Sequence, residues 1–204
     1  MNSGKSYLCR KIQEIAQQQN ITVYYINIDD IRRYILSYSL ESIDVSIRDM
    51  LQYHFGNIID IRTSMIDRIA LGDIIFSNRL AMQQYEACVI PRMREILINK
   101  IEAIKATYDI ILVERAALIE NNIHDLVQNN VIITKCTDKT LKQRSLWSDL
   151  PHIQLQNRHM YFWDHSLKKA YLQKQRASII EFNTSDNPQD IAYQKLLYSL
   201  FSHA

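Results

Sequence analysis

The clearest chemical signal in the sequence is a short stretch near its start, Ser3-Gly4-Lys5-Ser6. It matches the end of a phosphate-binding P-loop, in which a glycine and four further residues precede Gly-Lys-Ser or Gly-Lys-Thr. In such loops, N–H groups at a helix N-terminus hold the phosphates, the lysine contacts the outer phosphates and the hydroxyl coordinates Mg²⁺. We therefore predict ATP and Mg²⁺ as cofactors, with Lys5 catalytic and Ser6 ligating the metal. The residues expected to bind the cofactor are Ser3, Gly4, Lys5, Ser6 and Tyr7.

The front half of this motif is not in the sequence. Counting back from Gly4, the first glycine of the motif and the strand before it would precede Met1. We expect the first strand of the fold to be missing, either because the true start lies upstream or because the chain is a degenerate binding protein without activity. The sequence contains 3 glycines in all, so no second glycine-rich phosphate loop competes with this assignment.

Two neighbouring aspartates, Asp29 and Asp30, follow an apolar run at residues 21–28. The run is typical of a buried strand, and a carboxylate at the carboxyl end of such a strand points towards the ligand crevice of an α/β sheet. We predict that Asp29 orients or deprotonates an acceptor hydroxyl, which is the task of a general base. Asp30 is expected to cap a helix that begins at Ile31.

The elements that must position these residues alternate between strands and helices. Nearly continuous apolar, β-branched runs predict parallel strands at residues 21–28, 109–113, 131–135 and 178–182. Helical stretches between the strands indicate an α/β fold with a parallel sheet and helices on both faces. We predict a single P-loop kinase domain that spans residues 1–204.

Two helical insertions interrupt this alternation. The first fills a gap of about eighty residues between the first two strands, far longer than an ordinary crossover. It predicts an acceptor-binding lobe at residues 31–107. The second includes a helical stretch at 153–176 and predicts a lid at residues 138–176. The predicted helices of the lobe are residues 31–37, 47–55, 64–71 and 80–106, the last of them bent or interrupted at Pro91.

Five groups of residues make the chain resemble the dephospho-coenzyme A kinases. In order they are Gly4-Lys5-Ser6, residues 26–33, His54-Phe55-Gly56, Asp67-Arg68 with Ala70-Leu71, and Ile75-Phe76. Weaker likenesses follow at residues 118–120, 141–144 and 180–183. The resemblance implies a kinase of coenzyme A biosynthesis that transfers the γ-phosphate of ATP to the ribose 3′-hydroxyl of dephospho-coenzyme A. It also implies that Asp29 is the catalytic base.

The same resemblance suggests which cations meet the substrates. His54, Arg62 and Arg68 lie in the predicted lobe, where they are expected to contact the phosphates of the acceptor. Arg144 lies at the start of the predicted lid and is expected to be catalytic. Its guanidinium suits contact with the charge that develops on the transferred phosphoryl group.

The sequence also departs from the family pattern. Asn27 stands where the family has the first of two aspartates, and Ser148 occupies the position of a second lid arginine. A proline-leucine-leucine stretch is replaced by residues 114–117, which begin with Glu114-Arg115. A Glu-Arg pair at this place resembles the deoxynucleoside kinases, in which it touches phosphate and substrate, so Arg115 is a further candidate for substrate binding. A nucleoside or nucleotide acceptor is therefore the alternative to dephospho-coenzyme A.

Composition argues against several other classes of protein. The 204-residue chain has 47% hydrophobic residues and a formal net charge of +2, which predicts a globular protein without nucleic-acid or membrane partners. Its 3 cysteines and 6 histidines lack the spacing of a disulfide framework or a zinc site. We expect a cytoplasmic protein that acts on a small molecule, and the sequence does not predict its oligomeric state.

Overall fold

The computed structural model of the chain describes residues 3–63, 65–145, 161, 163–185 and 189–201. The chain divides into two compact units. The sheet unit comprises Met1–Asn27, Asn99–Asp149 and Asp164–Ala204, and the helical unit comprises Ile28–Ile98 and Leu150–Trp163. The single domain, its lobe at 31–107 and its lid at 138–176 stay predictions. Residues 146–160 of that lid lie outside the described residues.

Helices and strands alternate along the described residues. In order they are α1 (Lys5–Gln18), β1 (Val23–Asn27), α2 (Ile28–Arg33), a π-helical segment (Tyr34–Tyr38), α3 (Ser42–Phe55), β2 (Ile59–Asp60), β3 (Met65–Ile66), α4 (Arg68–Ser77), α5 (Arg79–Ile104), β4 (Ile110–Glu114), a 3₁₀ turn (His124–Val127), β5 (Asn130–Lys135), α6 (Asp138–Ser145), α7 (His165–Lys174), β6 (Ser178–Asn183) and α8 (Asp190–Phe201). The four predicted strands are all present close to their predicted bounds, as β1, β4, β5 and β6.

The strands of the sheet unit form two parallel pairs. β1 pairs with β4 in a register that sets Asn27 beside Glu114. β5 pairs with β6 in a register that sets Lys135 beside Asn183. The carboxyl ends of the strands in each pair therefore lie side by side, which is where ligands bind in open α/β sheets. These parallel pairs confirm the predicted α/β fold class.

Hydrophobic residues pack on both faces of the β5–β6 pair, because successive side chains of a strand point to opposite faces. Ile132 and Ile180 pack against a core that α1, β4 and α8 share with β6. Val131 and Ile133 face a second core, closed by Leu172 of α7. The first core consists of Leu8, Ile12, Ile15, Ala16, Ile110, Leu112, Phe182, Tyr193, Leu196 and Leu197. Its α1 members recur at helical spacing, which is why this segment forms a helix on the sheet.

The helical unit differs in detail from the prediction. α2 begins at Ile28, directly after β1, and a π-helical segment follows it. The helix predicted at residues 64–71 is replaced by the antiparallel β2–β3 hairpin and the start of α4. The reason is Asp67, whose side chain accepts hydrogen bonds from the N–H groups of Ile69 and Ala70 and so sets the first turn of α4.

α5 continues through Pro91 as one helix, so it is not interrupted there, and the predicted bend stays a prediction. Proline removes one helical hydrogen bond, to the carbonyl group of Ala87 four residues earlier. Both Ala87 and Pro91 are exposed, so this lost bond falls on a solvated face of the helix. No helix among the described residues is long and apolar enough to span a membrane.

A buried ionic network joins α3 to α5 within the helical unit. Arg92 of α5 lies 2.8 Å from the fully buried carboxylate of Asp44 and 3.0 Å from Glu95, and it also pairs with Glu41. Asp44 accepts a second hydrogen bond, of 2.5 Å, from the hydroxyl of Ser39. A buried charge is tolerated only when it is paired and hydrogen-bonded, and this network meets both conditions.

Candidate functional site

The predicted phosphate loop opens α1 in the structure. Gly4 is the N-cap of α1 and has a left-handed backbone conformation, with φ of 84°. Its carbonyl accepts the first helical hydrogen bond, from the N–H of Leu8, at 2.9 Å. A Cβ at this position would lie 3.0 Å from both Arg144 Nη1 and Thr184 Oγ1. Glycine is therefore required here both by the backbone and by the space around it.

Ser3 and Lys5 lie at the carboxyl end of β5. The Ser3 hydroxyl is 2.7 Å from the hydroxyl of Thr134, the penultimate residue of that strand. Lys5 Nζ donates a hydrogen bond of 3.4 Å to Ser3 Oγ. The loop is thus attached to the sheet edge through side chains, and the lysine lies over its own loop.

Ser6 and Glu114 form the polar centre of the site. The Ser6 hydroxyl donates a 2.8 Å hydrogen bond to Glu114 Oε1 at the carboxyl end of β4. The other carboxylate oxygen, Oε2, accepts a short hydrogen bond from the hydroxyl of Tyr25. From the sequence, Glu114 is a candidate only as part of the Glu-Arg pair. An acidic residue that ends a parallel strand at the edge where the loop lies is the signal that would have identified it.

Two nearby groups keep their protons in this environment. Burial and the neighbouring Glu114 carboxylate raise the pKa of the Tyr25 hydroxyl, so that it donates to Glu114. Burial, with a smaller contribution from Glu114, raises the pKa of the Cys9 thiol to about 12. Cys9 is therefore a protonated packing residue at neutral pH, and thiolate chemistry is not expected of it.

Oxygen ligands at this position suit Mg²⁺. A serine hydroxyl and a carboxylate 2.8 Å apart match the hard oxygen donors that Mg²⁺ prefers. Mg²⁺ in kinases takes most of its remaining ligands from water and substrate phosphates, so a larger protein cluster is not needed. Ser6, predicted as the metal ligand, and Glu114 are the residues that fit this ion.

Arg144, predicted to be catalytic, lies beside the phosphate loop in the sheet unit. It is in the last turn of α6. Its Nη1 and Nη2 donate hydrogen bonds of 3.1 Å and 2.7 Å to the side-chain and backbone oxygens of Thr184, which follows β6. The structure therefore brings Ser3, Gly4, Lys5, Ser6 and Arg144 together.

Asp29, the predicted base, lies in the helical unit, in the first turn of α2. Its Oδ1 is 3.6 Å from Arg32 Nη2, and Arg32 in turn donates a hydrogen bond to the buried Tyr85. The prediction that Asp30 caps a helix starting at Ile31 is wrong, because α2 already begins at Ile28. Asp30 instead lies inside the helix and accepts a 3.1 Å hydrogen bond from Arg33, three residues on.

Of the four predicted substrate contacts, three are exposed and one is half-buried. His54 is the penultimate residue of α3 and is exposed beside Tyr53, with their ring centroids 5.6 Å apart. Arg62 lies in the β2–β3 turn, and its Nε is 3.6 Å from Asp60 Oδ1. Arg68 is the exposed first residue of α4. These three belong to the helical unit, whereas Arg115 is half-buried in the sheet unit directly after β4.

Comparisons with known proteins bear on the family and the fold. A sequence profile described as dephospho-CoA kinase matches residues 1–170. Among solved structures, the crystal structure of TT1252 from Thermus thermophilus is similar with a TM-score of 0.68 and 14% identity, covering 100% of this chain and 93% of that chain. At this identity the likeness concerns the fold alone. No curated protein matches the sequence. The profile and the parallel strand pairs together confirm the predicted kinase fold.

Proposed function

Because the chain belongs to the dephospho-CoA kinase family, we propose that it transfers the γ-phosphate of ATP to the ribose 3′-hydroxyl of dephospho-CoA. The observation that carries the proposal is the hydrogen bond of Ser6 to Glu114, next to the left-handed Gly4 that opens α1. It combines a phosphate-binding helix N-terminus with the oxygen ligands of a metal site. Phosphoryl transfer is catalysed mainly by positioning the reactants and stabilising charge, so it needs both the phosphate-binding helix N-terminus and the metal ligands.

The phosphates of ATP would bind at the start of α1. The N–H groups in the first turn of a helix, here including those of Lys5, Ser6 and Tyr7, have no acceptor within the helix and point towards its N-terminus. The helix dipole adds to their attraction for an anion. Lys5 supplies a full positive charge for the outer phosphates. Mg²⁺, held by Ser6 and Glu114, would neutralise negative charge on the phosphates when bound.

Asp29 is the proposed base of the transfer. The bond that forms joins the acceptor oxygen to the γ-phosphorus, the bond that breaks joins this phosphorus to the oxygen bridging it to the β-phosphate, and the acceptor proton passes to Asp29. Arg32 at 3.6 Å and its partner Tyr85 orient the Asp29 carboxylate. Arg144, which Thr184 holds beside the start of α1, would contact the charge that develops on the transferred group, since a guanidinium forms strong, charge-assisted hydrogen bonds to phosphoryl oxygens.

His54, Arg62 and Arg68 are the proposed contacts for the phosphates of the acceptor. All three are exposed, so a charged ligand can reach them from solvent. Arg115 follows Glu114 directly and would contact a substrate at the carboxyl end of β4. This Glu-Arg pair supports the second candidate, a deoxynucleoside or nucleotide kinase.

An assay that couples ADP release to a chromogenic reaction would test the proposal with dephospho-CoA, deoxynucleosides and nucleoside monophosphates as acceptors. We expect turnover with dephospho-CoA and its loss in Lys5→Ala. Lys11→Ala is the matched control, because Lys11 lies on the same helix but pairs with Asp190 at 3.1 Å. Turnover with a nucleoside alone would overturn the proposal in favour of the second candidate. A chain that binds ATP but turns over no acceptor would be a nucleotide-binding protein without kinase activity.

A further inference from the structure

We propose that Thr184 is a positioning residue, which holds the phosphate loop and Arg144 in one fixed arrangement. The inference rests on the proposed function, since it concerns the same site. Thr184 lies in the sheet unit, one residue beyond the end of β6, and is 2% exposed. It was not among the site residues that the sequence predicted.

The hydroxyl of Thr184 connects three segments of the chain. It donates a hydrogen bond of 2.7 Å to the carbonyl of Ser3, with the carbonyl of Lys135 as a longer alternative at 3.1 Å. It also accepts a 3.1 Å hydrogen bond from Arg144 Nη1. A hydroxyl can donate one bond and accept two, so this single group satisfies the loop and the arginine at once.

The backbone of Thr184 is also held at both its polar groups. Its N–H donates 2.8 Å to the carbonyl of Lys135, at the end of β5. Its carbonyl accepts 2.7 Å from Arg144 Nη2. The two nitrogens of one guanidinium thus bind the side chain and the backbone of the same residue, which defines the orientation of Arg144.

The residue after Thr184 extends the connection to the other end of α6. Ser185 Oγ accepts a 2.6 Å hydrogen bond from the N–H of Thr137, which directly precedes α6. Arg144 lies in the last turn of the same helix. The segment after β6 therefore binds α6 at both ends, and the helix that carries Arg144 is positioned relative to the sheet.

Close packing links this segment to the phosphate loop as well. A Cβ at Gly4 would lie 3.0 Å from Thr184 Oγ1 and 3.1 Å from Thr184 Cβ. Thr184 thus fills the space behind the glycine while its hydroxyl binds the carbonyl of the preceding residue, Ser3. The left-handed turn at the start of α1 therefore packs against Thr184 and against Arg144, which Thr184 holds in place.

The test compares Thr184→Val, which keeps the shape but loses the hydroxyl, with Thr184→Ser, which keeps the hydroxyl. The matched control is Thr22→Val, because the Thr22 hydroxyl bonds Asp109 Oδ2 at 2.7 Å where β1 and β4 begin, at the opposite end of the strands. Hydrogen–deuterium exchange of peptides covering residues 3–10 and 137–145 is measured on the full chain without nucleotide. ADP affinity is measured by calorimetry, and melting temperature for every variant.

We expect Thr184→Val to speed exchange in both peptides and to weaken ADP binding, each by about tenfold, as when a buried group loses a hydrogen-bond partner. Thr184→Ser should keep its exchange rates and its ADP affinity within about twofold of wild type. Thr22→Val should change the melting temperature but neither the exchange of the two peptides nor the affinity for ADP. If Thr184→Val does not fold, Thr184→Ala, which brings no methyl group against Arg144, replaces it.

Unchanged exchange in both peptides of the Thr184→Val protein would overturn the inference, and so would equal effects from Thr22→Val. A wild-type chain that binds neither ADP nor ATP would instead contradict the proposed function. The exchange measurement needs no nucleotide, so it still decides the role of Thr184 in that case.

Discussion

The two regions proposed to bind the two substrates differ in how firmly their residues are held. In the sheet unit, Ser3 bonds Thr134, Ser6 bonds Glu114, and Arg144 makes two bonds to Thr184. In the helical unit, the side chain of Arg62 is 90% exposed, and His54 and Arg68 are exposed as well. The proposed phosphate-binding region is therefore held by hydrogen bonds within the protein, whereas the proposed acceptor contacts His54, Arg62 and Arg68 lie exposed.

The helical unit nevertheless contains a strongly held charge, in a structural role. Arg92 and Asp44 form a buried ion pair between α3 and α5, and neither residue is among those predicted to contact substrate. Burial alone therefore does not mark a functional charge in this protein. What distinguishes the site in the sheet unit is that its polar groups converge on the carboxyl ends of strands.

Asp29 is the strongest test of this contrast, because it is a half-exposed residue of the helical unit with a proposed chemical role. Asp29→Asn should lower turnover with dephospho-CoA by about 10²–10⁴, the usual contribution of a general base. ATP affinity should stay the same. Steady-state kinetics and calorimetry measure the two effects. Asp30→Asn is the control, since Asp30 pairs with Arg33, and equal losses from both variants would remove Asp29 from the mechanism.

The buried network of the helical unit should affect stability rather than binding. Asp44→Asn leaves Arg92 with only the half-exposed Glu41 and Glu95, and should lower the free energy of unfolding by about 3 kcal/mol. Urea denaturation measures this change. Asp49→Asn, an exposed change on the same helix, should stay within about 0.5 kcal/mol of wild type. If the folded Asp44→Asn protein lost affinity for ATP, the buried network would affect nucleotide binding as well as stability, against this prediction.

Lys5→Ala should weaken ATP binding by about 10–100-fold, the amount expected when a charged hydrogen bond is removed. Calorimetry with Mg-ATP measures the dissociation constant. Lys11→Ala should bind ATP normally, because that lysine is engaged with Asp190 and Glu14. If both variants bound ATP equally well, α1 would not present a phosphate site.

The sheet unit also has an exposed ionic cluster, whose effect should depend on pH. Lys135 and Lys169 lower the pKa of Glu181 from its ordinary value of 4.5 to about 2. The folded state therefore favours the ionised carboxylate, so the stabilisation is present above pH 4.5 and is lost as the pH falls towards 2. Denaturation at several pH values across this range measures the free energy of unfolding. Wild type should be more stable than Glu181→Gln above pH 4.5, and this difference should shrink as the pH falls. A constant difference between the two proteins would contradict the assignment.

Arg62→Ala should have the smallest effect. Its contact with Asp60, at 3.6 Å on the surface, contributes little to folding. The free energy of unfolding should change by less than about 0.5 kcal/mol, and KM for dephospho-CoA by less than about fivefold. Urea denaturation measures the first quantity. Steady-state kinetics in which the dephospho-CoA concentration is varied at saturating ATP measure KM. A much larger rise in KM would contradict this expectation and would make Arg62 a major contact for the acceptor.

Local patterns were enough to predict the features that depend on neighbouring residues. The apolar, β-branched runs located the strands, and Gly4-Lys5-Ser6 located the start of α1, because these signals lie within a few residues of one another. Helix starts were less predictable. Asp30 has the chemistry of a cap, yet α2 begins at Ile28, since the helix continues directly from the end of β1.

The sequence by itself determined the α/β class, the residues of the phosphate loop and the resemblance to a kinase family. Only the tertiary structure decided that Ser6 meets Glu114, 108 residues away, and that Arg144 meets Thr184, 40 residues away. Each pair joins a residue of a helix to a residue at or just beyond the carboxyl end of a strand, so it depends on how that helix packs on the strands. For α1 this packing comes from a core that it shares with β4, β6 and α8, and these elements are far apart in the sequence.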